Sequence, residues 1–249
     1  EDVCIRKERE LVIFKTEVEF EAAMITALQN KGWESHVLKY PTEDTLLKNW
    51  ANILFENNRA IDRLNDAPLT DTEMQQILEQ VLALRTHLKL NGFINGKTVS
   101  ITRDNPDDPF HLGKEVSLKI YDRREIAAGQ SRYQIAQQPK YKPKSKILND
   151  RRGDLMLLIN GMPVFHLELK KSGIPVSQAH YQIEKYSDEG IFTGIFSLVQ
   201  IFVAMQPEET VYFANPGPDG IFNKDFYFHW ADFNNEPINK WRDIATYLL

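Results

Sequence analysis

The stretch Asp154-Leu-Met-Leu-Leu-Ile-Asn160-Gly161-Met-Pro-Val-Phe-His166-Leu-Glu168-Leu-Lys170-Lys171 decides how this chain folds. Two apolar runs flank Asn160-Gly161, the strongest short-range hairpin signal. The segment therefore reads as two antiparallel strands joined by a tight turn. In the second strand the period of two sets Val164, His166, Glu168 and Lys170 on one face and Phe165, Leu167 and Leu169 on the other. Burying the Phe and the two Leu residues fixes the register, so Glu168 and Lys170 are held side by side. Asp154 opens the preceding strand. With a plain two-residue loop Asp154 would oppose Leu167, on the wrong face. With a three-residue loop over 160–162, or one bulged residue in either strand, Asp154 faces Glu168. The second arrangement is expected.

Two carboxylates ~4 Å apart repel by roughly 4 kcal/mol at a protein-surface dielectric, and they persist together with a cation between them. Carboxylate oxygens with positions left open for water and phosphate suit Mg²⁺ rather than zinc. Such a metal activates water and neutralises charge on a scissile phosphate. Lys170 would orient or help deprotonate the attacking water, or stabilise charge developing on phosphorus. The plainer reading of Asp154, Glu168 and Lys170 is a surface salt-bridge set. Against it stand the apolar strands around them and the charge pattern upstream.

That pattern is local. Over 249 residues the net charge is −5, which alone argues against a nucleic-acid binder. From Lys119 to Arg152, however, ten basic residues stand against three acidic ones, and the block runs directly into Asp154. Residues 139–150 form a basic, Pro-containing connection. It reads either as a solvated mobile loop or as a phosphate-contacting arm with Tyr141 interleaved, and the two are compatible.

Elsewhere, residues 16–32 read as an amphipathic helix with Thr16 as N-cap, a stripe of Phe20, Met24 and Leu28, and Gly32 as the stop. Glu17, Glu19 and Glu21 lie in or near its first turn as solvating charges, and Glu21 also borders the buried stripe. Residues 44–64 and 71–90 read as two more helices, the second opened by the capping box Thr70-x-x-Glu73. Its stripe of Ile77, Val81, Leu84 and Leu88 is expected to pack on Trp50, Ile53, Leu54 and Ile61 of the first. Gly92-Phe-Ile-Asn-Gly96-Lys97-Thr98 is one residue short of a phosphate-binding loop and follows a helix. Asn95-Gly96 is therefore read as a turn into a strand over 98–102. Residues 103–113 form a loop. Further strands are expected at 116–121, 132–138, 197–205 and 210–214, a helix at 177–187, and a last helical segment carrying Trp230, Phe233, Ile238, Trp241, Ile244 and Leu248. This order predicts one α/β domain over 1–249, a mixed sheet with helices on both sides and a helical insertion at about 44–90. Cys4 is the one cysteine, which fits a reducing compartment, and no apolar run is long enough to span a membrane.

Asp154 followed by Glu168-x-Lys170 resembles the core of the PD-(D/E)-x-K nucleases. Arg151-Arg152-Gly153-Asp154 through Lys170 is similar to the nuclease motif of the restriction (R) subunit of type I restriction–modification enzymes, and Gln182-x-x-x-Tyr186 resembles the helix that follows it there. Glu17-x-x-x-Glu21 with Gly32-Trp33-Glu34 resembles that family's opening helix. Leu69-Thr70-Asp71 and Asn91-Gly-Phe resemble its insert, and His229-Trp230-x-Asp232 with Trp241 the segment leading to a helicase motor. The family usually has Pro before the Asp, where this chain has Gly153.

The resemblance implies a restriction-endonuclease-like fold and a Mg²⁺-dependent, type I site-specific deoxyribonuclease domain acting on double-stranded DNA. Asp154 and Glu168 would be metal ligands with the Leu169 carbonyl, Lys170 would be catalytic, and Glu21 is a candidate extra acidic member. Gln182 and Tyr186 would bind DNA or support the site, beside Arg151, Arg152, Lys142 and Lys144. It further implies a fragment of a larger cytoplasmic subunit, with 229–249 leading towards an ATP-driven motor and with modification and specificity subunits as partners. The competing readings are an idle nuclease-like module that binds DNA or docks subunits, and a stand-alone repair or recombination nuclease.

Overall fold

The computed structural model describes residues 12–84, 89, 97–121, 131–217 and 220–249. Cys4, Leu88, the turn at Asn95-Gly96 and the Asn91-Gly-Phe element lie outside them. The chain runs α1 (Glu17–Gln29), β1 (Val37–Lys39), α2 (Glu43–Asn57), α3 (Asp71–Leu82), β2 (Thr98–Thr102), β3 (Glu115–Lys119) and β4 (Tyr133–Gln137). Then come β5 (Lys140–Tyr141), β6 (Arg151–Arg152), β7 (Leu155–Ile159), β8 (Met162–Leu169) and α4 (Val176–Asp188). It closes with β9 (Ile201–Gln206), β10 (Glu209–Ala214) and α5 (Trp241–Tyr247).

One six-stranded sheet, in the order β1-β4-β7-β8-β9-β10, organises the molecule. β1 runs parallel to β4 and β8 parallel to β9, while the other neighbours are antiparallel. Both faces are covered, which is why β7, β8 and β9 are nearly continuously apolar. On one face Ile135, Leu157, Leu167 and Val203 pack on Phe20, Met24 and Leu28 of α1 and on Trp241 and Ile244 of α5. On the other, Met156, Leu158, Phe202 and Ala204 pack with Trp50 and Leu54 of α2 and Ala179, Ile183 and Tyr186 of α4. The architecture is the expected α/β one: a mixed central sheet flanked by helices, consistent with a restriction-endonuclease-like fold.

The β7–β8 hairpin meets its geometric condition through a bulge. Asn160 (φ 51°) and Gly161 (φ 82°) are both left-handed, as a two-residue type I′ turn requires. A Cβ on Gly161 would also stand 2.9 Å from Trp50 Cα, so α2 packs directly on this turn. Ile159 pairs with Met162 and Leu158 with Pro163, but Leu157 pairs with Phe165, leaving Val164 as the extra residue. Beyond it Leu155 opposes Leu167, and Asp154 comes to face Glu168.

Three local expectations need correction. Residues 197–198 belong to a 3₁₀ turn over Gly194–Leu198, and the strand begins only at Ile201. The last helix covers Trp241–Tyr247 alone; Trp230 lies outside it, and Phe233 is 95% exposed. Pro237 accounts for part of this, because it cannot continue a helix into its interior. Trp50 and Leu54 of α2 do share one apolar core with Ile77 and Val81 of α3, together with the 194–198 turn and the β2–β3 hairpin, but Ile61 is 75% exposed and takes no part in it. Glu73 does close the capping box on Thr70, but it is also wholly buried against Arg103, 2.6 Å away. Arg103 in turn bonds Asp108 and the Ala67 carbonyl, so a buried ion network pins the 103–113 loop to α3.

Candidate active site

The end of β8 places three polar side chains where the sheet face meets α4. Asp154 Oδ2 accepts a 2.6 Å hydrogen bond from the Leu169 backbone N–H. Glu168 is 1% exposed, and its Oε1 lies 3.6 Å from Lys170 Nζ. Lys170 Nζ donates to Gln182 Oε1 at 3.0 Å. Gln182 Nε2 donates to the Tyr186 hydroxyl at 2.8 Å, which donates to the Arg152 carbonyl at 3.0 Å. Gln182 and Tyr186 are one helical turn apart and share a face of α4. That face sits over the hairpin, so one chain of hydrogen bonds aims the lysine.

Helix α1 brings two acidic side chains from the same face, one turn apart. Glu17 Oε1 is 3.6 Å from Lys170 Nζ. Glu21 is 3% exposed, so the solvating role does not hold for it. Its carboxylate accepts from the side-chain amides of Gln137 and Gln138 at the end of β4. Gln138 also donates its backbone N–H to the Asp154 carbonyl at 2.7 Å. The two glutamines went unread in the sequence, where the only signal was their place at the end of a strand.

Electrostatics here are those of carboxylates held without enough compensation. Burial, then the neighbouring Glu168, pushes the Asp154 carboxyl well above its usual range. Burial pushes Glu168 up to about 8 against the pull of Lys170. Glu168 Oε2 is buried with no hydrogen-bond partner. His166 Nε2, also unpartnered, lies 3.5 Å from it. Burial drops His166 to about 4, so it is neutral and forms no ion pair. A buried oxygen that nothing satisfies, on a carboxyl whose charge is disfavoured, fits a cation ligand. Two carboxylates with open positions suit Mg²⁺, which keeps waters and takes substrate oxygens. Among the described residues no three His, Cys, Asp or Glu side chains gather as an all-protein metal cage.

Gly153, the departure from the family pattern, has a local cause. A Cβ there would stand 2.6 Å from His166 Cε1 and 2.8 Å from the Tyr141 hydroxyl. Tyr141 is fully buried and bonds His166 Nδ1 at 3.0 Å, so it is part of the core and not of a phosphate-contacting arm. Gly153→Ala is expected to lower stability by about 1–3 kcal/mol through overpacking and to displace Asp154. Urea unfolding checks the first effect. Adding Tyr141→Phe, which removes one of the two clashing atoms, should restore part of the loss.

Of the remaining residues, two are hydrogen-bonded and two are exposed. Arg151 pairs with Glu189 at 2.6 Å, and Arg152 bonds Gln138 Oε1 at 3.3 Å. Lys142 and Lys144 are exposed on the 142–150 connection. A groove of about 430 Å³ beside α4 is lined by Arg151, Gln178, Tyr181, Gln182, Lys185 and Tyr186. A groove of about 780 Å³ lies along β1 instead and includes none of Asp154, Glu168 or Lys170. Among the described residues no helix is long and apolar enough to cross a membrane.

Residues 15–220 match the family model described as type I restriction enzyme R protein N terminus. The chain is 31% identical over 238 residues to the type I restriction enzyme SsaAORF53P endonuclease subunit of Staphylococcus saprophyticus, covering 96% of this chain and 23% of that protein. It is 29% identical over 232 residues to the SauMSSORF170P endonuclease subunit of Staphylococcus aureus strain MSSA476, covering 93% and 23%. It is 27% identical over 236 residues to the EcoprrI endonuclease subunit of Escherichia coli, covering 94% and 69%. The chain thus spans about a quarter of the length of the staphylococcal relatives.

Proposed function

The chain belongs to the family of type I restriction enzyme R protein N termini, and from that premise we propose that it is the Mg²⁺-dependent endonuclease domain of a restriction subunit, cutting double-stranded DNA. The observation that carries the reading is the bulge at Val164, which turns Asp154 towards a buried Glu168 whose Oε2 has no partner. Asp154 and Glu168 would hold the cation. The Leu169 carbonyl would join them, because in an extended strand a residue's C=O points to the same neighbour as its N–H, and that N–H reaches Asp154. When bound, Mg²⁺ supplies an acidified water and charge neutralisation at the scissile phosphate.

Lys170 is fixed by Gln182 and supplies a positive charge or a proton at the reacting phosphate. Glu17, half-exposed beside it, is placed to exchange that proton with solvent. Glu21 keeps Gln137 and Gln138 in position behind Asp154. In the whole enzyme, ATP would act through motor domains outside this chain, and modification and specificity subunits would choose the DNA.

The test is DNA cleavage by the subunit carrying this chain, assembled with those partners in the presence of ATP. Cutting is expected with Mg²⁺, lost in EDTA and restored when excess Mg²⁺ returns. Cutting that persists in EDTA overturns the reading.

A further inference from the structure

We propose that Tyr40, Lys140 and Arg152 form a phosphate subsite that grips the DNA backbone outside the cleavage centre, an inference that rests on the nuclease reading and extends it. Lys140 and Arg152 are directly opposite each other in the β5–β6 pair. Like charges in that position destabilise a strand pair. Among the described residues neither has a carboxylate at ion-pair distance, whereas the adjacent Arg151 has Glu189. Both cations instead converge on one ring: Lys140 Nζ lies 5.9 Å and Arg152 Cζ 5.7 Å from the centroid of Tyr40.

Tyr40 itself is held in an unusual state. Its φ is 52°, in the left-handed region, and the residue is 47% exposed. For a bulky residue that conformation is costly and persists only where the surroundings impose it. Here they do: Tyr40 N–H donates to the Gln137 carbonyl at 2.8 Å, and Lys140 N–H donates to the Pro41 carbonyl at 2.9 Å. Exposed cation–π contacts are weak and do not by themselves account for two like charges held side by side. An anion between the two cations accounts for it, because it attracts each of them and needs them close.

The position fits a backbone phosphate. Arg152 bonds Gln138, whose N–H holds the Asp154 carbonyl, and the Arg152 carbonyl ends the chain through Tyr186 and Gln182 to Lys170. The subsite is therefore tied from two sides to the groups proposed for cleavage. Tyr40 acts as a positioning residue for the two cations.

The experiment is anisotropy of a short fluorescein-labelled DNA duplex with the whole 249-residue chain in EDTA, where neither metal nor cutting enters. The Lys140→Gln/Arg152→Gln double variant should bind on the order of tenfold or more weakly and flatten the log–log salt slope by about 1–2. Tyr40→Gly should melt at the same or a higher temperature, because strain is relieved, yet bind several-fold more weakly. Tyr40→Phe should bind like the parent, and Tyr40→Gly should add nothing to the double variant. Unchanged affinity and slope in the double variant overturns the subsite, as does absence of duplex binding by the parent chain at about 50 mM salt. A Tyr40→Gly chain that loses stability and keeps its affinity overturns the role of the ring. Inorganic phosphate at matched ionic strength should displace the duplex no better than chloride. Selective displacement that vanishes in the double variant would assign the subsite to a free anion instead. These outcomes leave the nuclease reading standing, and a failed EDTA test of cutting leaves them untouched.

Discussion

Replacing Asp154 by Ala is expected to reduce DNA cutting by the assembled enzyme by on the order of a thousandfold or more, with assembly and DNA binding retained. The size follows from what a lost metal ligand removes. Charge stabilisation by a bound cation is worth several kcal/mol in the transition state, and each 1.36 kcal/mol is tenfold in rate. Lys170→Ala should cause a loss of similar order by a different route. It leaves both carboxylates in place and empties the position that Gln182 holds. The two variants should therefore separate in metal binding: isothermal titration with Mn²⁺ should weaken strongly for Asp154→Ala and little for Lys170→Ala. Undiminished cutting by both would remove these residues from the chemistry.

The second large effect has the opposite sign for the fold. Glu168→Gln should make the metal-free protein more stable, increasingly so as pH rises. The folded protein holds a proton on Glu168 up to about pH 8, whereas the unfolded chain releases it near 4.5. Between those values the unfolded state binds fewer protons, so the parent loses stability as pH rises through the window. Asp154, raised for the same reason of burial, acts in the same direction. Glutamine carries no such penalty, and Lys170 keeps Glu17 and Gln182 as neighbours. In EDTA the gap should be small near pH 5 and reach a few kcal/mol above about pH 8. Each kcal/mol raises Tm by about 2–4 °C in a chain of this size. Saturating Mg²⁺ should stabilise the parent and not the variant. A variant that melts lower than the parent at pH 9 in EDTA would show that Glu168 is a structural ion-pair partner and not a cation ligand kept at a cost to the fold.

The hairpin was legible because two independent periodicities agreed. Asn160-Gly161 set the turn, and the apolar alternation set the face, so an extra residue was needed if Asp154 was to share a site with Glu168. Which strand would bulge was not legible, since Val164 becomes the extra residue only through packing between β7 and β9. Two helices were placed by their caps, Thr16 alone and Thr70 with Glu73; that Glu19 closes a second capping box on Thr16 was not read. The C-terminal aromatics misled because an apolar spacing close to helical recurs where the chain runs extended against β10, with Tyr212 bridged to Phe228. Tyr141 misled because its neighbours in sequence are lysines, while the β5–β6 pair turns its ring inward beneath them. Gln182 and Tyr186 were placed on one helix face by spacing, but their hydrogen-bond order towards Lys170 depends on how α4 docks. Gln137, Gln138 and Tyr40 carry no sequence signal, since their importance lies in strand ends that meet only in the folded sheet.

The most direct measurement is the position of Mn²⁺ in a crystal of this chain, located by its anomalous scattering. The expected result is a peak about 2.1 Å from a carboxylate oxygen of both Asp154 and Glu168, with Glu168 Oε2 among the ligands. Manganese bound elsewhere, with Asp154 and Glu168 untouched under conditions in which Mn²⁺ supports cutting, would contradict a shared metal site.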